Sequence, residues 1–525
     1  MKENNDLEKE EKNSKIKKFF KHKIFTKTFA FFAFIIGLFA ILISMISIKI
    51  SNKFKPSFYG YQSYMSPENI KKINQKFDYK EFGEISEFTK AILTNKAVAG
   101  IGSDSQAVNL IKKNVLKKID YEKIFGKGIK SPEAFLRKDI WEHMLSYDKY
   151  LTTDYWGNVY KDENGNPKPR HLWEYFLPYY SQDTIIAYNP SKLKKPAKDV
   201  NFKNVDANGT LPMIDILRTL KEEGYNSWAI TNAIRDNLIY GSAYQANLED
   251  DEKKDTEATG SVYPDTYEEL IKNFIKLIQD GTSYSVNDDK HINFKSDGLE
   301  LLNLLLNPNS KINAAIMYNG DGIDAFYSED NFKNVKNGTI RYIKPRKNLL
   351  LVDGFVLANN KNKNIDNEVY EIARKTWMSN YTKIYQVAKD VYKDKSTEIL
   401  NNPNSVEHLD KIKNIYKIAK EQILQEQKIL QDNLNKTYPN EENRPSIYES
   451  NSNPGFQNFN YIGYTPTNRL EYEHIYENYF ENEDKDFEQR AKKLYEITGK
   501  HISIKPISDD LLSELSVYYN KQIKG

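Results

Sequence analysis

Residues 349–358 read LLLVDGFVLA, a run of strand length that is apolar on both alternating faces except for one acid, Asp353. A strand with two apolar faces needs cover on both, the situation of strands in sheets layered by helices. KAVAGIG (96–102), DTIIAYN (183–189) and INAAIMYNG (312–320) have the same character, and helical stretches alternate with them. The clearest helix is PDTYEELIKNFIKLIQDG (264–281). Asp265 or Thr266 caps it, positions 267, 270, 271, 274, 275 and 278 form an apolar stripe, and Gly281 closes it. The alternation predicts an α/β chain with parallel-type sheets covered by helices. An acid inside such a strand is costly unless it has a partner, which makes Asp353 the first candidate for function.

Composition narrows the class. The 525 residues suffice for two or three domains with real cores, and 39% hydrophobic with 28% charged residues is ordinary globular composition. Lys+Arg 76 against Asp+Glu 73 leaves a formal net charge of +3, so no general pull toward nucleic acid follows. With Cys 0 there are no disulfides, thiolate metal sites, cysteine nucleophiles or lipidated cysteine.

The N-terminus carries a membrane signal. Phe29 to Ile48 is twenty residues without a charge, the length a hydrocarbon core of about 30 Å requires. Seven lysines lie between Lys12 and Lys27, against Lys49, Lys53 and Lys55 just after the run. The positive-inside rule then puts the N-terminus in the cytoplasm and the main domain outside, a single-pass protein of the cell membrane. A cleaved signal peptide competes with this reading, but no small-x-small site follows the run.

Two segments read as additions to the α/β pattern. Residues 127–175, rich in aromatics, Asn, Gly and Pro, look like a long surface insertion carrying a hairpin. Residues 366–434 hold two helical patterns, read either as an antiparallel helical hairpin or as a docking arm for a membrane partner. GIGSDS (100–105) lacks the Gly-Lys-Ser/Thr half of a phosphate loop, and Ile101 stands where a nucleophile elbow needs Gly. DENGNP (162–167) has alternating oxygen ligands but puts Gly at the fourth place and Pro at the sixth, where a calcium loop needs its Gly, and there is no H-E-x-x-H. No cofactor or metal is expected, and no nucleophile, base or metal set converges to suggest an enzyme.

Read in order, FYGYQSYMSPENI (58–70), AVAGIGSDSQAVNLIKKNVLKKID (97–120), FLPYYSQDTIIAYNP (176–190), AITNAIRDNL (229–238), AAIMYNGDG (314–322), LLLVDGFVLANNKNK (349–363) and YIGYTPTN (461–468) resemble the spermidine/putrescine-binding proteins of ABC transporters. That family has the two-lobed type II periplasmic-binding-protein fold. The apolar run and the lysine asymmetry divide off a cytoplasmic tail (1–28) and a transmembrane anchor (29–48), and the resemblance implies a first lobe made of 55–186 and 351–465. These two parts of the first lobe carry the insertions 127–175 and 376–457. The second lobe would be 187–350 and 466–525. It further implies ligand contacts from Tyr61, Tyr64, Tyr318 and Tyr464 as ring faces and from Asp353 and Asp236 as carboxylates. Gln62, Ser103 and Ser105 would supply neutral hydrogen bonds.

Such a set suits a polyamine, whose methylenes lie on rings while its ammonium ends need π faces and carboxylates. Ser63 and Ala233 stand where the family supplies carboxylates, and Leu351 replaces a Trp; Asp321 or Asp104 could compensate. The implied function is the extracellular substrate-binding component of an importer, with a permease and a separate ATPase as partners. The same fold holding another small solute, or a surface adhesin working through its insertions, remain as alternatives.

Overall fold

The computed structural model describes residues 55–194, 199–245, 259–360, 363–440, 444–448, 450–497 and 501–524, together with 13–14, 34–41 and 43–44. The tail expected over 1–28 and the anchor expected over 29–48 lie largely outside the described residues. Among the described residues no helix is long and apolar enough to cross a membrane. Pro56–Gly525 forms one compact unit, and everything below concerns that unit.

Among the described residues fourteen strands follow in chain order: β1 (Ser57–Tyr61), β2 (Asp78–Phe82), β3 (Ala97–Ser103), β4 (Phe176–Gln182), β5 (Thr184–Tyr188), β6 (Thr210–Leu211), β7 (Trp228–Thr231), β8 (Ile292–Lys295), β9 (Ala314–Tyr318), β10 (Arg341–Pro345), β11 (Asn348–Leu349), β12 (Leu351–Leu357), β13 (Thr465–Pro466) and β14 (His501–Ile502). Twelve of them build two six-stranded mixed sheets, in the orders β13-β4-β12-β3-β1-β2 and β6-β10-β5-β9-β7-β8, and β11 pairs with β14. In the first, β1 runs parallel to β2 and β3, and β12 lies antiparallel between β3 and β4. In the second, β7 runs parallel to β8 and β9, and β5 lies antiparallel between β9 and β10.

The two sheets therefore share one plan, a parallel trio followed by a strand of opposite direction. That opposite strand comes each time from across the hinge. The chain leaves the first sheet after Gln182 and enters the second at Thr184; it returns from β11 to β12 through Leu350. The apolar runs that pointed to doubly covered strands are β3, β5, β9 and β12, and all of β3, β5 and β12 is buried. One core lies under the first sheet, where Trp377 meets Phe58 and Phe355. The other gathers around Trp228, Phe274 and Leu217 beneath the second.

The helical segment differs from a simple hairpin. Its first pattern breaks at Trp377–Met378 into Lys363–Thr376 and Ser379–Tyr392, because Trp377 turns into the first core instead of continuing the helix surface. Ser379–Tyr392 then packs on the long helix Leu409–Thr437. The two insertions also grip one another: Tyr416 Oη donates to Ala134 O at 2.7 Å, and Asn401 Nδ2 donates to Gly128 O at 2.8 Å. Within 127–175 two short two-strand bridges form, Thr153 with Val159 and Lys161 with Pro167.

At the crossover, the fully buried Asp183 takes both carboxylate oxygens to Lys344 Nζ, at 3.0 and 2.8 Å, with His501 Nε2 at 3.3 Å from the same group. Removing one partner of a buried ion pair leaves the other charge uncompensated. Lys344→Ala should therefore cost about 3–5 kcal/mol of stability in urea unfolding, while Asp183→Asn combined with Lys344→Met should recover most of that loss. Equal losses in the single and double variants would show that the pair does not hold the crossover.

Candidate functional site

In sheets of this kind the carboxyl ends of the parallel strands open onto a crevice, and each end is followed by a turn and a helix. Here β1 ends at Tyr61, β3 at Ser103, β7 at Thr231 and β9 at Tyr318, and the helices Pro67–Ile73, Asp104–Lys112, Ile234–Ala243 and Asn319–Phe326 follow them. Ser103 serves as N-cap of the helix after β3, accepting a hydrogen bond from Gln106 N. Chain direction alone thus delivers side chains from both lobes to one cleft.

Asp353 sits at its first-sheet wall, opposite Ser103 in β3 and Tyr180 in β4, with an irregularity in the β12–β4 register just after it. Such a bulge re-aims the side chain it adjoins. Asp353 is 7% exposed. Tyr64 Oη donates to its Oδ2 at 2.7 Å, Gln182 Nε2 donates to Tyr64 Oη at 3.3 Å, and Tyr61 acts on the same carboxyl. The Tyr64 ring stands 5.2 Å from that of Tyr61 and 5.5 Å from that of Tyr464.

Tyr464 carries this cluster to the other lobe. Its phenol donates to Asp321 Oδ1 at 3.0 Å, and its ring lies on the backbone of Gly320, where an added Cβ would fall 1.8 Å from a ring carbon. Only glycine permits that approach. On the second-lobe wall Tyr318 Oη donates to Asp236 Oδ2 at 2.6 Å, and Asp236 is fully buried. Between the walls, Arg235 Nη1 reaches across to Ser103 Oγ at 3.0 Å and Ser105 Oγ at 3.1 Å. The neighbouring Asp104 is engaged by His143 Nε2 at 2.6 Å.

The electrostatics follow from enclosure. Burial pushes Asp353 up to about 7, against the Tyr64 hydrogen bond and the Arg235 charge. It pushes Asp321 up to about 7, against the Tyr464 hydrogen bond, and Asp236 up to about 6, against Arg235 and Tyr318. The phenols of Tyr61, Tyr64, Tyr318 and Tyr464 are raised by burial first and by the adjoining carboxylates second. Among the described residues three buried acceptors of the cleft, Asp236 Oδ1, Asp321 Oδ2 and Gln182 Oε1, have no hydrogen-bond donor. A cleft of half-suppressed carboxylates with spare acceptors and ring walls is chemically suited to a donor-bearing organic cation. Among the described residues no group of three or more His, Asp or Glu is placed to hold a metal ion.

Of the expected contact residues, the structure gathers Tyr61, Tyr64, Asp353 and Tyr464 into one cluster, Asp236 and Tyr318 into a second, and Ser103 and Ser105 with Arg235 between them. Gln62 stands apart. It is exposed at the end of β1, with its amide over Gly83. Three participants were not anticipated: Gln182, His143, and Arg235 as a group that spans the lobes. A polar residue closing the aromatic strand FLPYYSQ was the available signal for Gln182; no sequence signal distinguished His143.

No protein-family model and no curated protein matches the chain. Among solved structures, one from Listeria monocytogenes labelled as a spermidine/putrescine ABC transporter is 11% identical, with a TM-score of 0.44, covering 89% of this chain and 98% of that one. The spermidine/putrescine substrate-binding protein PotD of Streptococcus pneumoniae is 14% identical, with a TM-score of 0.39, covering 89% and 99%. MotA of A. tumefaciens, solved with glucopine, is 11% identical, with a TM-score of 0.35, covering 63% and 81%. Two six-stranded sheets built on one plan, with a cleft between them, make a two-lobed α/β fold. What the chain binds has to be read from its own cleft, since solved structures this distant carry no ligand over.

The raised carboxyls give a signed pH effect. Because Asp353 ionises near 7 when folded and at its ordinary 3.8 when unfolded, the folded state holds the extra proton between those values, so this contribution is full at acid pH and is lost as pH rises toward 7. Asp353→Asn should thus gain stability relative to the unsubstituted protein between pH 5 and pH 8. Urea unfolding at four pH values measures it, and a difference that stays constant with pH would remove the buried carboxyl from the account.

Proposed function

We propose that this chain is the substrate-binding component of an ABC importer for small organic ammonium compounds, with polyamines such as putrescine and spermidine as the first candidates. The reading is carried by one observation: Asp353, Asp236 and Asp321 come from both lobes, each bonded to a tyrosine, and Asp236 and Asp321 each keep an unused acceptor beside ring faces. Methylenes lie against the rings and each ammonium completes a carboxylate. A cation over an aromatic face gains about 0.5–2 kcal/mol, and a charge-assisted hydrogen bond adds to it. The lysine-rich N-terminus and the apolar run 29–48 support a receptor tethered outside the membrane beside its permease, at high local concentration. Transport energy then comes from a separate ATPase.

One observation favours a second reading. A cavity of about 590 Å³ lies away from the cleft, in the helical insertion, among Ser379, Lys383, Gln422, Gln427, Asn453 and Phe456. A surface interaction protein working through that insertion would use it. The cleft is the stronger candidate because its groups are charged, buried and incompletely bonded, whereas the groove in the insertion is open and mostly neutral.

Calorimetry of the full-length protein in detergent with putrescine, spermidine and spermine separates the two. The cleft reading expects micromolar binding that Asp353→Asn weakens about tenfold or more, and that strengthens about tenfold per unit from pH 5 toward pH 7 as one carboxyl ionises. Binding indifferent to pH and to Asp353→Asn would defeat it.

A further inference from the structure

The geometry points to an amphoteric ligand, a short aliphatic chain with an ammonium at one end and a carboxylate at the other, whose carboxylate is held by Arg235. The inference rests on the cleft being an organic-ammonium site and specifies what the other end of the ligand must be.

Arg235 lies in the first turn of Ile234–Ala243, on the second lobe, and its Nη1 is fixed by the two hydroxyls of Ser103 and Ser105 on the first. Both of these partners are neutral. A guanidinium has five N–H donors in a planar fork, and these bonds engage only one nitrogen. Among the described residues no carboxylate forms an ion pair with it, and no acceptor lies against its Nε or Nη2.

The nearby acids are all committed elsewhere: Asp104 to His143, Asp236 to Tyr318, Asp353 to Tyr64. The open edge of the fork is the edge that accepts a carboxylate with two parallel hydrogen bonds. Asp236 and Asp104 act on the guanidinium only through space, and a ligand carboxylate would add the direct, two-bond contact that neither of them makes.

The separation of the two ends follows from Tyr61. This one phenol lies within the influence of both the Asp353 carboxyl and the Arg235 guanidinium, so the acid wall and the basic wall are neighbours. A short ligand spans them. A diamine of the same length would instead set its second ammonium against Arg235, and juxtaposed like charges discriminate strongly between ligands.

4-Aminobutanoate and putrescine are a matched pair of probes: the same four-carbon length, with one ammonium replaced by a carboxylate. On the full-length protein, calorimetry should find 4-aminobutanoate about tenfold or more tighter than putrescine. Arg235→Gln should weaken 4-aminobutanoate by about tenfold or more while leaving putrescine unchanged or improved. Arg235→Lys, which keeps the charge but not the fork, should fall between, and serves as the test if the Gln variant does not fold.

Putrescine binding more tightly than 4-aminobutanoate, or Arg235→Gln weakening both equally, would overturn the inference while leaving the ammonium site standing. Heat from neither probe, with an unchanged unfolding temperature in both, would overturn the ammonium reading and this inference with it.

Discussion

Each sheet of this protein is completed by a strand that belongs, by sequence, to the other side of the hinge. β5 begins two residues after β4 ends, and β12 begins two residues after β11, so neither sheet can finish without the other. That exchange fixes where the lobes meet. The buried pairing of Asp183 with Lys344 at one crossover, and the pairing of β11 with β14 beside the other, hold the exchange in place. Because the parallel strands of both sheets end toward the hinge side of their turns, the cleft follows from the connectivity itself and needs no separate design.

What the connectivity does not provide is tolerance for acid in that cleft, and tyrosine supplies it. Each of the three raised carboxyls is matched to a phenol, Asp353 to Tyr64, Asp321 to Tyr464 and Asp236 to Tyr318. A phenol offers one strong donor and a large apolar face. It can satisfy one carboxylate oxygen while excluding water from the other. Burial raises all three above the ordinary carboxylate range, so a cation brought beside them favours their ionised form.

Much of the architecture was legible in the sequence because fully covered strands are written as unbroken apolar runs; LLLVDGFVLA and KAVAGIG could be little else. Asp353 stood out for the same reason, as an anomaly within a pattern. Asp236 and Tyr318 were reached only through the resemblance of their surrounding phrases, since neither is unusual in its local setting. Arg235 was visible as the neighbour of Asp236, but its contact with Ser103 and Ser105 spans 132 and 130 residues and depends on how far the lobes close, which no local pattern encodes. Gln62 shows the opposite failure: taken from the resemblance alone, it lies one residue past the end of β1, and its side chain faces water. The break at Trp377 was hidden because the helical periodicity on either side does not reveal that one indole is needed by a different core.

The ring of Tyr464 resting on the bare backbone of Gly320, together with the guanidinium lodged between two serines of the facing lobe, has a kinetic consequence. These contacts close the route a solute would take, so they must come apart before anything enters. Anything admitted to the cleft would then enter at the pace at which these contacts part, and raising its concentration outside could not push the rate past that pace.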